Sequence, residues 1–391
     1  MKLITTTEEL AAFCALAHDT PYVTVDTEFL RERTYYAKLC LLQMALPGPE
    51  GADSGPAVLV DPLADGLSLA PFYELLRDQS TVKVLHAARQ DLEIFYIEGG
   101  TLPTPLFDTQ IAAMVCGFGD QVGYETLVRK LAKGSIDKSS RFTDWSRRPL
   151  TEAQLGYALA DVTHLRVIYE TLAMRLRETG RAAWVAEELA TLDDPETYLT
   201  RPEDAWKRVK TRNNSARFLA LVRELAAFRE EYAQSRNVPR SRVFKDDALL
   251  EIASLKPATQ DDLGRTRLLL REARRGEIAQ GILDAVARGL ACPPKDLPQA
   301  QNGRDDAMQV NPALADLLRV LLKAKSDKTG VAARLIAPSA DLDALAAGRR
   351  DVAALSGWRS KVFGDDALRL CDGKVALAVR GERVDVVALP E

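Results

Sequence analysis

The stretch YVTVDTEFL, residues 22–30, constrains the fold more than any other in the chain. Tyr22, Val23 and Val25 mark it as a strand of a buried sheet. Alternation along a strand puts residues i and i+2 on one face, so Asp26 and Glu28 share a side. Two like charges on a buried strand face cost free energy unless positive charge offsets them. Any fold of this chain must therefore bring cations to that face.

The surrounding pattern is that of an α/β domain. KLIT opens as a strand, and the threonines before EELAAFCALAH cap a helix reaching His18. Strands follow at 22–27, 38–46 and 57–62, with LRERTYYA as the turn between the first two. A helix around LAPFYELLRD, a strand at 81–87 and a helix over RQDLEIFYIEG come next. Helices are then expected at 108–117, 123–133, 151–177 and 182–191. The implied layout is three antiparallel strands and a crossover into a helical layer, giving a mixed sheet.

Pro and Asp interrupt the periodicity at TLDDPETYLTRPEDAW. Beyond it the pattern is helical, at 214–235, 245–254, 258–264 and 272–288. The Pro/Gln/Gly-rich stretch 291–307 reads as a linker, and 311–380 as a further helical segment. Residues 241–267 align without gaps on 333–359 at an offset of 92, placing Leu250 on Leu342 and Leu263 on Leu355. A duplicated helical module is therefore expected. With 391 residues, the chain divides into an α/β domain at 1–195 and two all-α domains at 206–291 and 307–385.

Charge follows the same division. Residues 1–200 carry 18 Lys+Arg against 29 Asp+Glu, a net −11; residues 201–290 carry 19 against 13, a net +6. An acidic body with a basic appendage suits a cation-loaded catalytic domain joined to a polyanion binder. The five cysteines are isolated and only three histidines are present, a poor inventory for zinc. Free thiols in a reducing cytosol are expected. No apolar run is long enough for a membrane span, and MKLITTTEELAAF lacks a signal-peptide core.

Further acids fall at element edges of the α/β domain. Asp91 lies in the first turn of a helix directly after a strand, where the helix dipole also favours it. In EAQLGYALADVTHLRVIYETL, Tyr157 and Asp161 are four apart and share a face separate from the apolar stripe. Four converging carboxylates repel unless divalent cations bind, and hard Mg²⁺ or Mn²⁺ prefers oxygen ligands. A pair of such ions about 3.5–4 Å apart clamps the attacking and leaving oxygens of a phosphoryl displacement.

The motifs VDTEF, LHAARQDLEIF and YALAD resemble the three exonuclease motifs of the DEDD superfamily, which has a ribonuclease H-like fold. VDTEFLRERTYYAKLCLLQ, LFDTQIAAMV and KSSRFTDWSRRPLTEAQLGYALADV are similar to the ribonuclease D family. RNVPRSRVFKDDALLEIA resembles the helicase-and-ribonuclease-D C-terminal (HRDC) domain, and 307–385 a divergent second copy. The resemblance makes Asp26, Glu28, Asp91 and Asp161 the ligands of two divalent ions, Mg²⁺ or Mn²⁺. It makes Tyr157 the residue that orients the attacking water; Gly156 stands where a sister subgroup has histidine. It implies a cytoplasmic, monomeric 3′→5′ exoribonuclease that releases nucleoside 5′-monophosphates from precursor tRNA 3′ trailers and other small structured RNAs.

Other positions carry two readings each. Trp145 stacks a base and Arg147 or Arg148 grips a phosphate, or the loop is a packed anchor before Pro149. Lys207, Arg208, Lys210 and Arg212 contact phosphates without sequence preference, or form a solvated basic helix start. Asp108 is expected to cap a helix near the site and His86 to be a core imidazole. Two rival functions stand beside the first: a 3′→5′ DNA exonuclease and a non-catalytic RNA-binding scaffold.

Overall fold

The computed structural model describes residues 2–49, 51–52, 54–141, 143–299 and 309–390. Its first elements are β1 (Lys2–Ile4), α1 (Thr7–His18), β2 (Tyr22–Leu30), β3 (Lys38–Ala45) and β4 (Ala57–Val60). Then follow α2 (Ala70–Arg77), β5 (Val82–Leu85), α3 (Arg89–Gly99), β6 (Leu106–Asp108) and α4 (Thr109–Val115). Helices α5 (Tyr124–Leu127), α6 (Glu152–Glu178) and α7 (Ala182–Leu189) complete the α/β part.

The strands form one mixed sheet in the order β1-β4-β3-β2-β5-β6. β3 and β4 run antiparallel, whereas β1 pairs parallel with β4, β2 with β5, and β5 with β6. β2 thus lies centrally, and its buried residues Tyr22 to Val25 explain its apolar run. β6 corrects the expectation of a helix beginning at 108. Three residues are too few to display alternation, and the helix starts only after Asp108. The helix expected at 123–133 is α5 followed by a π-helical turn over Val128–Ala132.

The chain divides into two compact units, residues 1–28, 39–197 and 307–391 in one and 29–38 with 198–306 in the other. The second unit is built from α8 (Ala216–Ser235), α9 (Arg240–Val243), α10 (Asp246–Leu255), α11 (Gln260–Leu263) and α12 (Gly276–Ala291). They bury a core that includes Leu225, Phe244, Leu249, Ile252 and Ile282.

In the first unit the last segment contributes α13 (Pro312–Thr329), α14 (Ala333–Ile336), α15 (Ser339–Ala346), α16 (Gly357–Arg359) and α17 (Asp365–Cys371). It ends in an antiparallel hairpin of β7 (Val375–Arg380) and β8 (Arg383–Ala388), so the all-α expectation for 307–385 is corrected. The alternating valines of VALAVRGERVDVVA carry that hairpin, with Gly381 at φ +61° in its two-residue turn. This segment packs on the α/β part: Trp358 stacks on Trp184 at 4.8 Å, and Ala332 N donates to Met114 O at 3.0 Å.

The gapless offset of 92 is also corrected, because it pairs Leu263 in α11 with Leu355 in a 3₁₀ turn. The matching local geometry is Glu272–Arg274 with Ala353–Leu355, both 3₁₀ turns. Each is followed by an extended residue, Arg275 or Ser356, then by a glycine at positive φ, Gly276 at +65° or Gly357 at +53°. The corresponding shift is 81, from 276 to 357. Ala/Leu-rich helices let apolar positions coincide in several registers, which is why sequence alone chose the wrong one.

Candidate active site

Each acid is delivered by an element whose position is fixed by hydrogen bonds. β2 supplies Asp26 and Glu28. Two residues earlier, Thr24 Oγ1 donates to Val162 O at 2.9 Å and to Ala45 O at 3.2 Å, tying β2 to α6 and to β3. Tyr124 Oη donates to Asp161 O at 2.7 Å and so holds the turn of α6 that carries Asp161. The start of α6 is set by a capping box between Thr151 and Gln154, which fixes the phase of Tyr157 and Asp161.

Asp91 comes from the first turn of α3, entered through Ala87 at φ +55°. Asp108 stabilises that turn by accepting from Ala87 N at 3.1 Å and Ala88 N at 2.8 Å. It also caps α4 through Gln110 N and Ile111 N. Asp108 is therefore a cap, and in addition the clasp that aims Asp91. Thr27, absent from the sequence reading, donates its hydroxyl to Asp91. His86 lies beside Thr109 Oγ1 at 3.0 Å and against the Tyr124 ring, as a core imidazole.

Carboxylate oxygens of Asp26, Glu28 and Asp161 lie within 4.8 Å of one another. Asp91 is close enough that its charge raises the pKa of both Asp26 and Glu28. Burial is the first cause of the shifts. It lifts Asp26 well above the carboxylate range, with Asp161, Asp91 and Glu28 adding to it. Glu28 is raised to about 8 by burial and then by Asp161 and Asp91. Asp91 and Asp161 each reach about 7, again mainly through burial, with hydrogen bonds from Thr27 and Tyr157 opposing.

Arg141 lowers Glu28 and Asp161 electrostatically, and sequence reasoning missed it although it stands inside KSSRFTDW. Its single charge leaves the cluster deficient in cations. The donors are all carboxylate oxygens, with no imidazole or thiolate in the group, a set that fits a hard divalent cation. Tyr157 hydrogen-bonds Asp161, and burial followed by the charges of Asp161, Glu28 and Asp26 keeps its phenol protonated far above neutral pH.

The remaining candidates fare differently. Trp145 is only 2% exposed, with its ring 6.1 Å from that of Tyr157, so the base-stacking expectation is corrected to a packing role. Arg148 donates to Asp61 Oδ1 at 2.6 Å and Oδ2 at 2.7 Å and to Cys40 O at 2.7 Å. That is the anchor alternative, and it replaces the phosphate-gripping expectation for Arg148. Arg147 is exposed on the same loop. Lys207, Arg208, Lys210 and Arg212 are exposed in the other unit, at and just after a 3₁₀ helix over Pro202–Arg208. Lys207 pairs there with Asp204 at 2.5 Å.

Comparison with known proteins agrees with this geometry. The 3′-5′ exonuclease family matches residues 1–177 and the HRDC domain family residues 218–286. A ribonuclease D of Jannaschia sp. is 64% identical over 384 residues, 98% of each chain. The chain belongs to the ribonuclease D family. A ribonuclease D of Granulibacter bethesdensis is 50% identical over 386 residues, 98% of this chain and 96% of its own.

The crystal structure of Escherichia coli RNase D, an exoribonuclease involved in structured RNA processing, superposes with a TM-score of 0.79. Its identity is 29%, with 95% of this chain and 98% of that one covered. As a ribonuclease D family member the protein is a 3′→5′ exoribonuclease, a hydrolase acting on RNA. The DNA and scaffold alternatives give way to that finding. Its fold, an exonuclease domain with a mixed sheet followed by a helical HRDC domain, is the one that implies divalent-metal use. Among the described residues no helix is long and apolar enough to cross a membrane.

Proposed function

We propose that Asp26, Glu28, Asp91 and Asp161 hold two divalent ions, Mg²⁺ or Mn²⁺, and that the protein trims precursor tRNA 3′ ends and other small structured RNAs in the cytoplasm. The observation that carries this is the meeting of three carboxylates within 4.8 Å beside a fourth, in a site where burial first, and the neighbouring carboxylates after it, raise the pKa values of Asp26 and Glu28. Divalent ions bound there would acidify a coordinated water and stabilise the negative charge of the leaving 3′ oxygen.

The chain's own residues do the rest. Asp26, Glu28 and Asp161 present oxygens from a strand and a helix that hydrogen bonds hold together, so the donor geometry is set before substrate arrives. Tyr157, a neutral phenol at working pH, orients the attacking water rather than deprotonating it. Thr27 and Asp108 keep Asp91 in place. The released products are nucleoside 5′-monophosphates.

Lys207, Arg208, Lys210 and Arg212 take phosphates of the RNA, and Arg147 on the exonuclease domain takes a phosphate independently; their exposure supports this. We read the chain as an exonuclease domain over 1–195, an HRDC domain over 206–291 and a divergent HRDC-like domain over 307–385. The shared 3₁₀ turn, extended residue and left-handed glycine before the last helix support the duplication. The working form is a monomer.

A time course on a precursor tRNA tests the reading, with Mg²⁺, Mn²⁺ or EDTA and resolution of product length and end chemistry. Stepwise 3′ shortening with 5′-monophosphates, abolished by EDTA, is expected. Internal cuts, 3′-phosphate products or EDTA-resistant hydrolysis would refute it.

A further inference from the structure

The segment LRERTYYA is the motif the site chemistry leaves unused. β2 runs past Glu28 to Leu30, and from residue 29 to 38 the chain is grouped with the helical unit. Seven residues, 31–37, join β2 to β3, more than a tight hairpin needs. A surface connection of that kind is ordinarily among the more mobile parts of a fold. Here it is fastened through Tyr35 and Tyr36.

Tyr35 packs against the helical core. Its hydroxyl donates to Glu230 and accepts from Gln234 Nε2 at 3.1 Å and Arg240 Nη2 at 2.9 Å. The Arg240 guanidinium also lies over the Tyr35 ring, 4.7 Å from its centre. Arg240 pairs with both oxygens of Glu230 at 2.5 Å, and the Glu230 side chain is 1% exposed. The backbone N–H groups of Tyr35 and Tyr36 both donate to Asn237 Oδ1, at 3.1 and 3.0 Å. Asn237 sits at φ +47°, a conformation that asparagine tolerates better than most residues.

Glu230 is a buried carboxylate whose cationic partner Arg240 keeps 41% of its side chain exposed, and a buried charge that spends part of its hydrogen-bonding capacity on one loop tyrosine is costly to assemble without a use for that tyrosine. We propose that Tyr35 is a positioning residue, which fixes Glu28 for cation binding by fastening the strand extension just beyond it to the helical module. The inference rests on the assignment of Glu28 as a cation ligand, because a shared ion demands that its oxygens be held to within about 0.5 Å. Glu28 stands only two residues before the end of β2, where strands fray, so an anchor beyond it governs its freedom.

The full-length chain and its Tyr35→Phe and Tyr35→Ala variants would be compared in three readouts. These are Mn²⁺ titration by calorimetry, hydrogen exchange over residues 22–30, and kcat and KM on a short RNA. Tyr35→Ala is expected to weaken Mn²⁺ binding about tenfold, the scale typical of losing a group that supports a ligand. Exchange at 28–30 rises and kcat falls, while KM stays within about twofold, as for a loss confined to the chemical step. Tyr35→Phe keeps the ring and fold and shifts the same quantities less.

Unchanged Mn²⁺ affinity and exchange in Tyr35→Ala would overturn the proposal. So would a raised KM with Mn²⁺ affinity intact, which would make Tyr35 an RNA-binding element. A wild type that binds Mn²⁺ yet leaves RNA whole would refute the exonuclease assignment instead, and the comparison of Mn²⁺ affinities would still decide the role of Tyr35.

Discussion

Asp161→Ala and Asp26→Ala each remove a carboxylate from a group whose members repel one another without cations. Hydrolysis should fall by at least about 10³-fold in either variant, as expected when a preorganised charge-stabilising group is lost. The metal-free chain should unfold no earlier than wild type, which a thermal melt in EDTA checks. Tyr157→Phe keeps the ring against Trp145 and removes only the hydroxyl, so kcat should drop about 10²-fold with the fold intact. Near-wild-type turnover would show that the phenol does not touch the reacting water. At this scale the carboxylates were legible because their spacings, i and i+2 on a strand and i and i+4 from the tyrosine on a helix, occur together with Asp91 in motifs that resemble a known family. Trp145 was not, since the same TDWSRRPL string suits a base platform or a loop anchor, and burial decides between them. Thr27 and Arg141 carry no spacing signal at all; they matter through where the chain folds to.

Elements carry a second kind of information. α7 and α16 meet through Glu188, which accepts from Trp358 Nε1 at 2.9 Å and from Arg359 Nη2 at 2.6 Å. The Glu188 side chain is 10% exposed and that of Arg359 16%, so the pair is largely dry. Glu188→Ala strands Trp358 Nε1 and leaves Arg359 only the Leu335 carbonyl and the more distant Glu187, and should cost about 3 kcal/mol, measured by denaturant unfolding. A loss below about 0.5 kcal/mol, typical of surface pairs, would contradict the packing described. Strand positions were partly readable, because β2 to β4 announced themselves by short apolar runs. β6 and the β7–β8 hairpin escaped. The first is too short for periodicity, and the second lies at the end of a segment dominated by helical Ala/Leu patterning. Lys83 shows the limit plainly: a lysine in TVKV reads as an exposed strand position. In the structure it is fully buried, its ammonium satisfied by the carbonyls of Asp78, Thr81 and Thr104.

At the scale of the whole molecule, the acids proposed to bind metal are also those whose raised pKa values tie fold stability to pH. Glu28 at about 8 and Asp91 and Asp161 at about 7 are raised above the ordinary carboxylate range. Raised acids stabilise the metal-free fold fully below their unfolded values, near pH 4. That contribution is lost as pH climbs through about 7 to 8. The melting temperature in EDTA should therefore fall between about pH 4 and 8, more steeply in wild type than in Asp161→Asn. Added divalent ion should reverse the trend, since binding requires the ionised acids. Equal slopes for wild type and Asp161→Asn would contradict the assignment.

Charge distribution had already separated an acidic body from a basic appendage, and the basic stretch falls within the helical unit. Which segment joined which unit was not readable, because the 29–38 connection and the last segment are placed by contacts far apart in sequence. The account stands on shared cations at the acidic cluster. An electron paramagnetic resonance titration with Mn²⁺ near pH 8 counts them directly. Two closely spaced ions in wild type, with the pair lost in Asp26→Asn and Asp161→Asn, is the predicted result. Binding that is the same in wild type and both variants would contradict it.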